Sequence, residues 1–290
     1  MDRLALYEKI VALVPIIIRE KEDFRNVIKN KLREYVNLLK QLDVVYQPSN
    51  WDEILRRIEQ LCGGINRAVE AEYCGVRHTA YSSIKNQLNG YRTKESGVSA
   101  LSCNIYKVNK GTISYRMRKV DMIERQGLKS SEMFHIPLSK RGLVRTQRFS
   151  ALGYPCLYMS HSIYGCWEEM GRPNFGTIMV SKVVAQNDFN VLDLRVPSND
   201  LWRKNMENCV KFFPFVIASM VQVKNHDDYY KPEYLIPQLL TEWTISQNRD
   251  KRKSSLQEII GIIYTSAQKN SDFNFPFVRV HFSALPFEVD

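Results

Sequence analysis

The sequence predicts an α+β protein: an all-α N-terminal helical domain followed by a mixed α+β domain. Three observations lead there. Apolar residues recur at three-and-four spacing from Phe24 to Leu42, short β-rich runs replace that period beyond residue 102, and the later strands and helices do not alternate regularly. At 290 residues the chain has room for two ordinary domains, and with 44% hydrophobic and 25% charged residues its composition is globular.

In the helix that begins at Phe24, residues Val27, Ile28, Leu32, Val36, Leu39 and Leu42 share one face, with Lys, Arg and Glu on the other. Such a stripe needs a cover, and the apolar segment 11–18 is placed to supply it as a helix. The next helix starts at Pro48-Ser49-Asn50, where Ser49 can cap the first turn and Asp52 and Glu53 favour the positive end. Its face is Trp51, Ile54 or Leu55, Ile58 and Leu61. Gly63-Gly64 reads as an interruption, after which Ile65, Ala68, Val69 and Tyr73 suggest one more helix. Residues 1–95 therefore form the helical domain. The stretch 86–102 is rich in Asn, Gly, Ser and Thr without a sustained period, and holds the boundary to a second domain at 103–290.

In that second domain β-rich runs fall at 112–118, 155–160, 177–184, 190–194, 259–266 and 277–282. Helices are expected at 162–170, 199–223 and 233–247, the last with Pro237 in its first turn, where a proline is tolerated. A regular βαβ period, a GxGxxG loop and a Walker loop are all missing, which argues against a nucleotide-binding Rossmann or P-loop protein.

Totals bound the partners. No apolar run approaches the roughly 18 to 20 residues of a membrane span, and the start MDRLALYEK lacks the features of a secretory signal, so a cytoplasmic protein is expected. The six cysteines show no CxxC pair and no histidine at zinc spacing, so reduced structural thiols and no metal are expected. His226-Asp227-Asp228 reads as a solvated loop. The net charge of +10 favours anionic partners, a nucleic acid or a phosphate-bearing small molecule. Without an aromatic platform among the basic residues, nucleic acid is the less favoured of the two.

One stretch concentrates chemistry. Between Arg148 and Glu169 the chain delivers an arginine, the turn Gly153-Tyr154-Pro155, the strand-like Cys156-Leu157-Tyr158-Met159 and a short helix ending in paired glutamates. A cation, an aromatic ring and a carboxylate suit a ligand that is anionic at one end and a cationic heteroaromatic at the other.

These residues resemble the RES domain, a bacterial toxin family named for an arginine, a glutamate and a serine. The resemblance rests on Tyr115-Arg116, on Arg148 followed by Gly153 and Leu157-Tyr158, on Cys166-Trp167-Glu168-Glu169, and on Ile263-Tyr264-Thr265-Ser266, in family order over residues 103–290. It implies an ADP-ribosyltransferase-like fold, NAD as substrate and cleavage of the nicotinamide-ribose bond by hydrolysis or phosphorolysis. It also implies a toxin-antitoxin or phage-defence setting, with an antitoxin protein as partner and a homo-oligomer as the assembly. Transfer of ADP-ribose to a protein or nucleic acid is the alternative, and a nucleic-acid-binding module with an inactive RES-like domain is a third reading. The family's Gly-Arg-Trp-Asn stands here as Gln147-Arg148-Phe149-Ser150. The N-terminal helices resemble HEPN-type domains that accompany some RES proteins, without the arginine-to-histidine spacing of their nuclease signature.

The resemblance assigns roles that the side chains suit. Cleaving the N-glycosidic bond develops positive charge on the ribose, which a fixed carboxylate stabilises. That role falls to Glu169, with Glu168 in reserve. Arg116 and Arg148 offer planar forks for the pyrophosphate and adjoining ribose, and Arg118, two residues along the strand, faces the same side as Arg116. Tyr158 can set its ring against nicotinamide while its hydroxyl reaches a polar group. Ser266 can orient the carboxylate or ribose, and no Ser-His-Asp arrangement points to a nucleophilic serine. Trp167 and Trp243 read as core.

Overall fold

The computed structural model of the chain describes residues 1–90, 104–121, 129–249, 259–267 and 280–284. Aspartates open the first two helices. Asp2 accepts a hydrogen bond from the Ala5 amide at the start of α1 (Arg3–Val11), and Asp23 accepts from the amides of Arg25 and Asn26 at the start of α2 (Phe24–Leu39). Each satisfies backbone donors that the first turn leaves unpaired. Leu6 and Ile10 are the buried positions of α1, whereas Ile28, Leu32, Tyr35, Val36 and Leu39 carry the stripe of α2.

Segment 11–18 is not the covering helix that its apolar run suggests. The helix lies upstream, ends at Val11, and the chain beyond Pro15 runs extended, with Ile16 bridged in parallel to Val221. Proline disfavours the helical conformation in the residue before it and lacks the amide that a helix interior needs.

Helix α3 (Trp51–Tyr73) runs without a break through Gly63 and Gly64, against the interruption expected there. Its N-cap position is Asn50 and no side chain caps it, so Ser49 does not take the role foreseen; Asp52 and Glu53 do occupy the first turn. Gly64 is needed for close approach rather than for flexibility. A Cβ added there would lie 2.4 Å from Cγ of Gln87, on α4 (Arg77–Gly90), a helix the sequence pattern does not reveal. Gly64→Ala is therefore expected to destabilise the chain by about 1–3 kcal/mol through overpacking, despite alanine's better helix propensity. Adding Gln87→Ala should restore most of that loss, as urea unfolding of the single and double variants would show.

The α2 stripe is covered by α3 and by a later helix, α6 (Asn199–Ser219), whose N-cap Ser198 accepts from the Leu201 amide. Tyr35 donates to the Val210 carbonyl at 2.6 Å and its ring stacks on Phe213. Trp202 donates from its indole nitrogen to the Arg3 carbonyl at 2.9 Å, beside the ring of Tyr7. Segment Val196–Trp243, which includes the first part of α7 (Leu235–Arg249), thus belongs with the N-terminal helices in one compact unit. This differs from a helical domain confined to 1–95 and an unbroken second domain at 103–290. The reason is apolar: the N-terminal helices leave a face that the dense Phe212-Phe213-Pro214-Phe215 segment helps to fill. Arg77 adds polar ties within this unit, to Glu72 at 2.8 Å and to Glu242 at 2.7 Å. Pro237 sits in the first turn of α7, as expected.

The second unit is built on one seven-stranded mixed sheet. Its strands are β1 (Ile105–Val108), β2 (Ile113–Lys119), β3 (Leu157–Ser160), β4 (Ile178–Val184), β5 (Phe189–Leu194), β6 (Ile259–Thr265) and β7 (Val280–Ala284), in the order β1-β5-β6-β7-β3-β2-β4. Only β5 and β6 pair in parallel. Helix α5 (Ile163–Glu169) follows β3, with Ser162 as its N-cap accepting from the Gly165 amide. The architecture is α+β, as the sequence predicts, and six of the seven strands lie within a few residues of their expected positions; β1 is the addition. Among the described residues no helix is long and apolar enough to cross a membrane.

Candidate functional site

All seven residues singled out by the sequence, Arg116, Arg118, Arg148, Tyr158, Glu168, Glu169 and Ser266, belong to the second unit. Their positions follow from the pairing of β2, β3, β7 and β6. Tyr115 stands opposite Ser160, Ser160 opposite His281, and His281 opposite Tyr264, so Tyr115, Ser160 and Tyr264 leave one face of the sheet at one level. Tyr158, two residues before Ser160, leaves the same face.

Helix α5 packs on this face. Met117, Cys166 and Ile178 form its small core with Tyr115 and Trp167 around them, and the Cys166 thiol donates to the Tyr115 carbonyl at 3.1 Å. Opposite lies the larger cluster of Val108, Leu157, Met159, Val191 and Ile263.

Tyr158 is the centre of the arrangement. Its hydroxyl accepts from the Phe149 amide at 3.1 Å, and its carbonyl accepts from Nη1 of Arg116 at 3.3 Å. Phe149 is fully buried and its ring lies 4.3 Å from that of Tyr264. Arg148 therefore sits at the tip of a four-residue turn, closed by reciprocal backbone bonds between Gln147 and Ser150, that is clamped between Tyr158 and Tyr264. Gly153, at φ 73°, completes the return to β3 in a conformation that disfavours a side chain. Ser266 is buried directly after β6, two residues beyond Tyr264.

Arg116 departs from a simple lining of one cleft. Alternation along β2 sends it, with Arg118, to the face opposite Tyr115 and Met117. Yet β2 and β3 share a single register pair, and the guanidinium lies at the opening between them, bonded to the Tyr158 carbonyl that a regular ladder would have paired. Burial lowers the pKa of Arg116, and the nearby charge of Arg118 lowers it further. Nη1 of Arg118 donates to the Glu132 carbonyl at 3.2 Å.

The two glutamates have different surroundings. Glu168 is 5% exposed, and its Oε1 accepts from Nε of Arg172 at 3.0 Å. Arg172 has a left-handed backbone, φ 56°, strained for a residue with a side chain, and its guanidinium lies 5.8 Å above the Trp167 ring. Glu168 thus holds the turn that ends α5. Glu169 is half-exposed, one residue further round the helix. Trp167 is not simple core: it stacks on the exposed Phe175 at 5.4 Å and donates to the Pro173 carbonyl. Trp243 is buried, as expected.

Cys166, read from the sequence as a structural thiol, lies close to the centre. Burial pushes its thiol up to about 11; the charge of Glu169 adds to that rise, while a backbone hydrogen bond and the charge of Arg116 oppose it. Cys62, in the first unit, is pushed up to about 12 by burial. Because thiolate is the reactive form, iodoacetamide at pH 8 is expected to alkylate the exposed Cys74 and to spare Cys62 and Cys166 in the folded chain. Peptide mapping by mass spectrometry would check this.

No family model matches this chain, and no solved structure matches it. It is 30% identical over 276 residues to the protein named "Putative toxin YopC" of Bacillus subtilis (strain 168). The alignment takes in 89% of this chain and 59% of that protein, so the chain spans under two thirds of the relative's length.

Proposed function

We propose that this chain is a toxin that consumes NAD by breaking the bond between nicotinamide and ribose. The observation that carries this reading is Tyr158, whose hydroxyl holds the Arg148 turn through the Phe149 amide at 3.1 Å while its carbonyl takes Nη1 of Arg116 at 3.3 Å. Two arginines tied to one tyrosine, with Glu169 at the end of the helix packed on that tyrosine's face of the sheet, suit a diphosphate, an aromatic base and a developing ribosyl cation. The name of the similar Bacillus subtilis protein favours the same biological role.

In this reading Glu169 steadies the ribosyl cation as neutral nicotinamide leaves. Arg116 and Arg148 hold the diphosphate, with Arg118 reinforcing the positive field. Tyr158 presents its ring to the nicotinamide, its hydroxyl fixing the Arg148 turn through the Phe149 amide. Ser266 orients the sugar or the carboxylate. Glu168 serves the turn through Arg172 rather than the ligand. An antitoxin protein is the partner proposed to hold such an activity in check.

Purified full-length protein incubated with NAD is expected to release nicotinamide, followed by chromatography. NAD labelled in its adenylate half then distinguishes the routes. Soluble ADP-ribose means water attacks, its 1''-phosphate means inorganic phosphate does, and label retained on a macromolecule means transfer. Absence of nicotinamide release, with inorganic phosphate present or absent, would overturn the reading.

A further inference from the structure

The two ends of the sheet differ. Strand β1 is four residues long, with Lys107 tied to Asp188 and Arg195 over the Tyr106 ring, the short and charged kind of edge that resists further pairing. Strand β4, Ile-Met-Val-Ser-Lys-Val-Val, is seven residues long, holds no proline and keeps an unbroken register against β2. Among the described residues no strand or bridge pairs with its other side.

The ladder fixes which backbone groups of β4 face outward. At its two ends the Val120 amide donates to the Thr177 carbonyl and the Ala185 amide to the Thr112 carbonyl, both at 3.0 Å. Bonded and non-bonded pairs alternate in an antiparallel ladder, so Met179, Ser181 and Val183 turn their N–H and C=O toward β2. Val180, Lys182 and Val184 turn theirs away. The Val184 carbonyl agrees with this phase, since it accepts from Nε2 of the exposed Gln186 at 3.2 Å. Val180 and Val184 are each 39% exposed and Ile113, opposite Val184, is 42% exposed, so the open edge also carries an apolar stripe. The stripe lies on the face of α5, which covers Met117 and Ile178 only.

We propose that β4 is a dimerisation edge, pairing antiparallel with β4 of a second copy about a two-fold axis at Ser181. The strand is self-complementary in that register. Each Val180 stands opposite the partner's Lys182, whose aliphatic stem lies along the valine, and no like charges oppose. An axis at Lys182 would instead set lysine against lysine. The pairing joins two sheets into one and uses up the edge on both copies. Its contact is small, below about 1,200 Å², so association in the micromolar range is expected. None of this depends on the ligand.

Sedimentation velocity on the full-length chain across micromolar concentrations is the test, with circular dichroism to follow the fold. Wild type is expected to show a reversible monomer–dimer equilibrium. Val180→Lys sets two lysines face to face in each half and should weaken the dimer about tenfold. Val180→Glu sets a carboxylate against each Lys182 and should hold the dimer at least as tightly as wild type while making it salt-sensitive. A role for Val180 in folding alone would move both variants the same way, which would overturn the proposal. Lys182→Pro deletes one outward amide and spares the β2 ladder, so the dimer should be lost with the fold intact. A wild type that stays monomeric throughout, or a dimer indifferent to Val180→Lys and Lys182→Pro, also overturns it.

Discussion

Glu169→Gln is expected to reduce nicotinamide release about a thousandfold while leaving the fold intact. At about 4 Å and an effective dielectric near 20, a carboxylate beside a ribosyl cation is worth roughly 4 kcal/mol. Expressed only in the transition state, that is on the order of a thousandfold in rate. Glutamine keeps the shape and loses the charge, so KM should change little and kcat should carry the effect. Glu168→Gln makes the contrasting case. Its carboxylate answers the Arg172 guanidinium at 3.0 Å beneath a strained backbone, so stability should fall ahead of kcat. Steady-state kinetics and urea unfolding on both variants would check the division, and equal nicotinamide release by wild type and Glu169→Gln would remove Glu169 from the mechanism.

The second large effect is structural. Trp202→Ala is expected to cost about 3–5 kcal/mol, the range for deleting a buried aromatic. Trp202 is 1% exposed, packs at 5.5 Å on Tyr7 and donates to the Arg3 carbonyl at 2.9 Å, so its loss leaves both a cavity and an unpaired backbone acceptor. Trp202→Phe keeps most of the volume and should cost about half as much. Chemical unfolding followed by far-ultraviolet circular dichroism would measure both.

Much of the fold was legible because periodicity is a local signal. The stripe from Phe24 to Leu39 and the runs that became β2 to β6 announce their type within a few residues. What local signals miss is set by distant partners. Gly63-Gly64 looks like a break until α4 is seen against Gly64. Residues 11–18 look like a helix until Pro15 and the bridge from Ile16 to Val221 are weighed. Helix α4 itself hides because its buried residues, Ala80, Ile84 and Leu88, are spaced four apart among Ser, Asn, Thr and Gln.

The site divides in the same way. Tyr158, Arg148 and Glu169 stand in one short stretch whose turn-strand-helix order can be read directly. The turn held by Tyr158 and Tyr264, and the seating of Arg116 between β2 and β3, depend on register across four strands.

The helical unit takes its segments from two separated stretches, Met1–Asn104 and Val196–Trp243, with parts of the second unit between them and after them. During synthesis the early helices must therefore wait, with Leu32, Tyr35 and Ile58 uncovered, until Phe213 emerges from the ribosome. Cutting the gene near residue 102 would strip the oily side of α6 of its cover and invite aggregation. Completion of the helical unit is thus delayed until the last third of the chain is being translated.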